Sequence, residues 1–210
     1  MVFGLGSFAS TMLTSVVVTW LLYYATGSHQ GAAAGGAGHG LFGLGMAVGR
    51  IADALADPFV GRWSDRTRTR LGRRLPFVLG GAIPLGLLFV LLWLPYTDAS
   101  LLARAVRVAV TLTAFFAVYT VVVCPYLAML PEIAVDPRTR LRLATWQAAG
   151  SVLGGGAVVL FAPRLFDELG YVAGATVIGG LAVVCYLLVG LVFLNGPREG
   201  QRTRRCSPAR

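Results

Sequence analysis

The chain has 210 residues, 56% of them hydrophobic and only 13% charged, with a mean hydropathy of +0.73. Soluble domains carry about 25% charged residues, so the composition excludes an ordinary soluble enzyme and points to a multi-span membrane protein. The net charge of +9 does not signal a nucleic-acid partner: every basic residue is Arg, most lie in short connections between apolar stretches, and no aromatic-and-basic face accompanies them.

About 20 apolar residues cross the hydrocarbon core of a bilayer. Six segments qualify, at 5–24, 41–61, 76–96, 106–129, 143–162 and 171–194. The first lacks a basic flank before its apolar run, so it reads as a span rather than a cleaved signal peptide. A Gly/Ala-rich connection, ATGSHQGAAAGGAGHG (25–40), follows it. His29 and His39 fall there and read as solvated loop residues rather than metal ligands. Residues 62–75 form an arginine-rich connection, 97–105 a short one, and 131–142 and 162–170 two more. The predicted organisation is thus a six-helix transmembrane domain over 1–195 and a basic tail over 196–210.

Arginine counts orient the bundle. The 62–75 connection holds six, the 131–142 connection three and the tail five, against three (Arg104, Arg107 and Arg164) on the other side. By the positive-inside rule both termini are cytoplasmic, in the cell (inner) membrane. Cys124, Cys185 and Cys206 show neither disulfide nor metal spacing, and no structural metal is expected. Gly45-x-x-x-Gly49 and Gly150-x-x-x-Gly154 permit close helix approach.

The second span carries the chemistry. Arg50, Asp53 and Asp57 are three and four residues apart and share one helix face. With the span's midpoint near residue 51, Asp53 lies roughly 3 Å and Asp57 roughly 9 Å past it toward the cytoplasm. A charged residue at the centre of a span costs about 2.5–3.5 kcal/mol on insertion scales, so this stripe should face a polar cavity or a partner. Arg50 can neutralise one aspartate, leaving one negative charge for a monovalent cation or a proton. Two carboxylates one turn apart also offer the hard oxygen ligands that small cations prefer. A salt bridge that only tethers helices is the alternative on spacing alone. Pro58 frees a carbonyl near Ala54, which either coordinates a cation or simply accompanies a kink.

The continuous stretch RIADALADPFVGRWSDRTRTRLGRRLP (50–76) resembles the glycoside–pentoside–hexuronide:cation symporters, the melibiose-permease-like branch of the major facilitator superfamily. Gly61-x-x-x-Asp65-Arg66 followed by Gly72-Arg73-Arg74 is similar to the superfamily's gating motif between helices 2 and 3, lengthened here by residues 67–71. Phe3-Gly4-Leu5-Gly6-Ser7-Phe8 with Tyr23-Tyr24-Ala25-Thr26 resembles the family's helix 1. Pro125-Tyr126, Pro131-Glu132 and Asp136-Pro137-Arg138 resemble its helix 4–5 connection.

The resemblance implies an all-α integral membrane fold, half of a major facilitator transporter, that couples Na⁺ or H⁺ to symport of a sugar or glycoside-like solute without another cofactor. Asp53, Asp57 and Thr120 would be the cation-binding residues, with Arg50 as charge partner. Gly61, Asp65, Arg66, Gly72, Arg73 and Arg74 would form the cytoplasmic gate. Where the melibiose permease grips sugar with two acids and an arginine, this sequence has Thr11, Val123 and Ala148. Thr11, Trp20, Trp146 and Gln147 are the substrate candidates.

Each half of such transporters has six helices and the solute lies between the halves. One half is present, so the expectation is a truncated product or a chain that assembles with a second half. A non-transporting membrane partner is the alternative. An enzyme reading rests on Gly49-x-x-x-Asp53-x-x-x-Asp57, which matches the end of the CDP-alcohol phosphotransferase motif. The Asp-Gly and Ala-Arg that must precede it are replaced by GGAGHG at 35–40, so half of the metal carboxylates would be missing.

Overall fold

Inside a bilayer every backbone N–H and C=O must be satisfied within its own segment or barrel, and long apolar runs therefore fold as helices. The structure, a computed structural model, describes residues 2–25, 36–67, 74–95, 100–133 and 136–195. It contains α1 (Val2–Ala25), α2 (Gly36–Arg66), α3 (Leu75–Leu91), α4 (Leu101–Ile133) and α5 (Pro137–Asn195). Gly170, at φ 80° and ψ 165°, breaks α5 into two helices, here called its first limb (137–169) and second limb (171–195). Among the described residues, Phe3–Leu21, Leu102–Pro131 and Pro137–Leu194 are long and apolar enough to cross a membrane, and the apolar α3 has 17 residues.

Several boundaries differ from the sequence reading. Residues 137–142 and 162–169, expected in connections, are helical. Hydropathy marks where a helix leaves hydrocarbon, not where its hydrogen bonding stops. The start of α5 has its own signal: the Asp136 carbonyl accepts from Arg140 N at 3.0 Å, and Pro137 opens the helix where a missing N–H is harmless. The third span, expected over 76–96, ends as helix at Leu91 and closes in a turn over 92–94. Residues 36–40, His39 among them, were expected in the 25–40 connection and instead open α2, while residues 26–35 with His29, Gly72, Arg73 and the 196–210 tail lie outside the described residues.

Packing follows three seams. α1 lies along the first limb of α5. A Cβ on Gly150 would enter the Gly4 backbone and one on Gly154 the Phe8 carbonyl. Partners rise together in number, so these helices run parallel. α2 and α4 are parallel too, with Gly45 against Ala109 and Gly49 against Leu112 and Phe116. α3 runs antiparallel to α4, through Gly81–Val122 and Phe89–Phe115, and to the second limb, through Gly86–Val183 and Gly190–Leu79. Both Gly-x-x-x-Gly pairs thus sit at close helix contacts, as their spacing predicts.

The two ends are fastened differently. Tyr24, Trp93, Phe166 and Tyr171 form one ring cluster around the Gly170 break, with centroids 4.7 to 6.0 Å apart. The Tyr24 hydroxyl there donates to the Trp93 carbonyl at 2.8 Å. At the other end the Phe3 and Tyr126 rings stack at 4.8 Å. The Tyr126 hydroxyl meets Ser7 Oγ at 3.0 Å and donates to the Phe3 carbonyl.

Candidate cation site

α2 has two unlike faces. Leu44, Val48, Ile51, Leu55, Phe59 and Trp63 form an exposed apolar stripe, suited to lipid. Gly45, Gly49, Asp53 and Val60 turn toward α4 or lie less exposed. The parallel register sets α2 positions against α4 positions: Gly49 and Arg50 against Phe116, Asp53 against Thr120, and Gly61 near Cys124. Both helices repeat at nearly four residues, so the stripes stay in step over three turns.

This register builds the site. Thr120, 2% exposed, donates its hydroxyl to Asp53 Oδ1. Arg50 Nη1 lies 3.9 Å from Asp53 Oδ2. Its guanidinium carbon lies 4.5 Å from the centroid of the Phe116 ring, a cation–π contact. Asp57 is exposed and, among the described residues, has no ion-pair partner. Asp53, Asp57, Tyr119, Thr120, Val123, Cys124, Leu127 and Ala128 line an open cleft of about 640 Å³. Asp53 therefore has two partners and Asp57 supplies the uncompensated charge. Carboxylate and hydroxyl oxygens form a hard donor set of the kind that suits a small cation.

The other expected residues fall in several places. Gly61 and Arg66 are on the last turns of α2, and Arg74 precedes α3. Asp65 lies in α2, with its side chain outside the described residues. Thr11 is half-buried on α1, its methyl 3.7 Å from a Cβ built on Gly155. The Trp20 ring packs edge-on against Phe166 at 5.7 Å, in the aromatic cluster rather than the cleft lining. Trp146, 39% exposed, and half-buried Gln147 sit on the first limb of α5, where the Trp146 carbonyl faces Gly4. Thr11, Trp20 and Trp146 thus meet their partners along the seam between α1 and the first limb of α5, and none of the four candidates is in the described lining of the Asp53–Asp57 cleft.

Sequence reasoning missed Phe116, Tyr119 and the polar face of α1. Tyr119 lines the cleft, lies against Ser10 and Thr14, and is within electrostatic reach of Asp53 and Arg50. Ser7 and Ser10 are buried, and Ser10 and Thr14 return hydrogen bonds to the carbonyls of Ser7 and Ser10 at 3.0 and 2.9 Å. A signal existed: Ser7, Ser10 or Thr11, and Thr14 recur at helical spacing in an otherwise apolar span.

Comparison with known proteins identifies the family of the chain. The family model described as MFS/sugar transport protein matches residues 2–207. The chain belongs to the glycoside–pentoside–hexuronide:cation symporter family of the major facilitator superfamily. Among members of this family, the inner membrane symporter YicJ of Escherichia coli K12 is 31% identical over 200 residues, covering 92% of this chain and 41% of its own. The glucuronide carrier protein homolog of the same strain is 32% identical over 142 residues, 67% of this chain and 30% of its own. The isoprimeverose transporter of Lactiplantibacillus pentosus is 28% identical over 199 residues, 92% of this chain and 40% of its own. The chain thus spans about 41% of the length of YicJ. These relatives are transporters, which sets the phosphotransferase reading aside at family level.

Proposed function

We propose that this chain is one six-helix half of a cation-coupled symporter for a sugar or glycoside-like solute. The observation that carries the proposal is the unequal pairing of two carboxylates in one cleft. Asp53 is held by Thr120 and Arg50, while Asp57 has no ion-pair partner among the described residues. One monovalent cation, Na⁺ or H⁺, balances the remainder. Relatives named for glucuronide and isoprimeverose support a glycoside-like solute.

In this reading the two limbs of α5 are the fifth and sixth spans, both termini face the cytoplasm, and α2 spans despite its charges because they face α4. The basic segment after α2, with Gly61, Asp65, Arg66, Gly72, Arg73 and Arg74, acts as the cytoplasmic gate. Thr11, Trp146 and Gln147 remain the solute-facing candidates, with Trp20 a supporting ring. The cleft is open, and alternating access works by rocking one half against another around a central site, so transport calls for a second six-helix half. Asp53→Asn and Asp57→Asn should each abolish cation-stimulated uptake of a labelled glycoside, assayed with the second half co-expressed, while membrane insertion is unchanged. Full cation stimulation in both variants would refute the assignment.

A further inference from the structure

Arg50 shares its helix face with both carboxylates, and its ion pair with Asp53 is a loose one. Its closest approach to Asp53 is 3.9 Å, against about 2.7–2.9 Å for a charge-assisted hydrogen bond. The guanidinium instead lies over the Phe116 ring at 4.5 Å. That ring is 1% exposed and packs beside Gly49, where a Cβ would make ordinary van der Waals contact with Phe116 Cδ2 at 3.5 Å. Arginine is a rigid fork that engages carboxylates through paired hydrogen bonds. A guanidinium released from the ring can reach into the cleft and occupy the oxygens meant for a small cation.

We propose that Phe116 is a positioning residue that parks Arg50 over its ring and so keeps the guanidinium from acting as a built-in competitor for the Asp53–Asp57 cleft. The proposal rests on the cation-site reading and adds a control on its affinity. Arg50 still offsets part of the Asp53 charge from the parked position, because Coulomb attraction falls only as the inverse of distance. Docking into the cleft, by contrast, would fill the site.

Cys124 lines the same cleft and is half-exposed, which makes it a reporter of the field there. The experiment compares modification of Cys124 in the full chain by a cationic and a neutral methanethiosulfonate, with peptide mass spectrometry separating it from Cys185 and Cys206. Both reagents attack the same thiolate, so its ionisation cancels in the ratio of rates. With each rate normalised to that of the same reagent with a free thiol in solution, the wild-type ratio should exceed one. Phe116→Leu should cut it roughly 3- to 10-fold, and Phe116→Tyr, which keeps the ring, should restore it. In an Arg50→Gln background Phe116→Leu should change nothing, since a double-mutant cycle isolates the pairwise effect. An unchanged ratio in Phe116→Leu, or an equal fall without Arg50, overturns the positioning role and leaves the cation site standing. A wild-type ratio of one that Asp57→Asn does not alter means the cleft holds no negative field, and both readings fall.

Discussion

Asp53 and Asp57 are the same residue type on the same stripe, four residues apart, yet their surroundings differ. Thr120 and Arg50 converge on Asp53, while Asp57 looks into the open cleft. The hydroxyl that donates to Asp53 keeps lone pairs for a cation, so Thr120 can serve both. Hydrogen bonds to charged groups contribute roughly 1.5–3 kcal/mol. Thr120→Val should therefore raise the cation concentration for half-maximal uptake about ten-fold, while Thr120→Ser stays near wild type. A cation titration of uptake checks both, and equal values for Val and Thr would remove Thr120 from the site. Much of this grouping was legible in the sequence, because charges in an apolar run stand out and their spacing fixes their face. Phe116 was not: a phenylalanine amid apolar neighbours reads as core until the register of a second helix is known.

At the scale of elements, small residues set the distances. Gly150 and Gly154 let the first limb of α5 touch the α1 backbone, and Gly45 and Gly49 do the same for α2 and α4. Without a hydrophobic drive between helices in lipid, such packing carries much of the association. A Cβ on Gly154 would enter the Phe8 carbonyl, whereas one on Gly156 meets nothing within 4 Å. Gly154→Ala should then destabilise by about 1–3 kcal/mol, the range for overpacking, and Gly156→Ala should be neutral or slightly stabilising. Thermal unfolding in detergent measures the contrast, and equal melting temperatures would contradict the α1–α5 seam. The helices were visible as apolar runs and the close seams as Gly-x-x-x-Gly. Their ends were not, because Asp136-Pro137 and Gly170 act through capping and backbone geometry that hydropathy does not report.

For the whole molecule, alternate helix directions give a bundle whose cleft is open, and the chain spans about 41% of YicJ. An epitope placed after Arg210 should be reachable only from the cytoplasm, and one inserted at residue 98 only from the other side. Protease protection in oriented vesicles reads both, and exposure of both on one side would break the six-span reading. Co-expression with a second six-helix half should restore glycoside uptake that the chain alone lacks. The all-helical class was readable in advance because lipid leaves so few choices of backbone. The solute was not, because Thr11, Trp20 and Trp146 meet their partners along the seam between α1 and the first limb of α5, and none of these side-chain types names a ligand by itself.

The break at Gly170 has a stereochemical side. Its φ of 80° and ψ of 165° are the mirror image of a nearly extended conformation that ordinary residues adopt freely. A Cβ there would meet no atom within 4 Å, so what forbids a side chain is handedness and not space. An L-alanine at 170 would bear a strain of about 1–3 kcal/mol, while a D-alanine introduced by semisynthesis would sit in a comfortable well and remove some freedom from the unfolded chain. The corner between the two limbs is thus a point where a chain of L-residues must borrow the one achiral residue it owns.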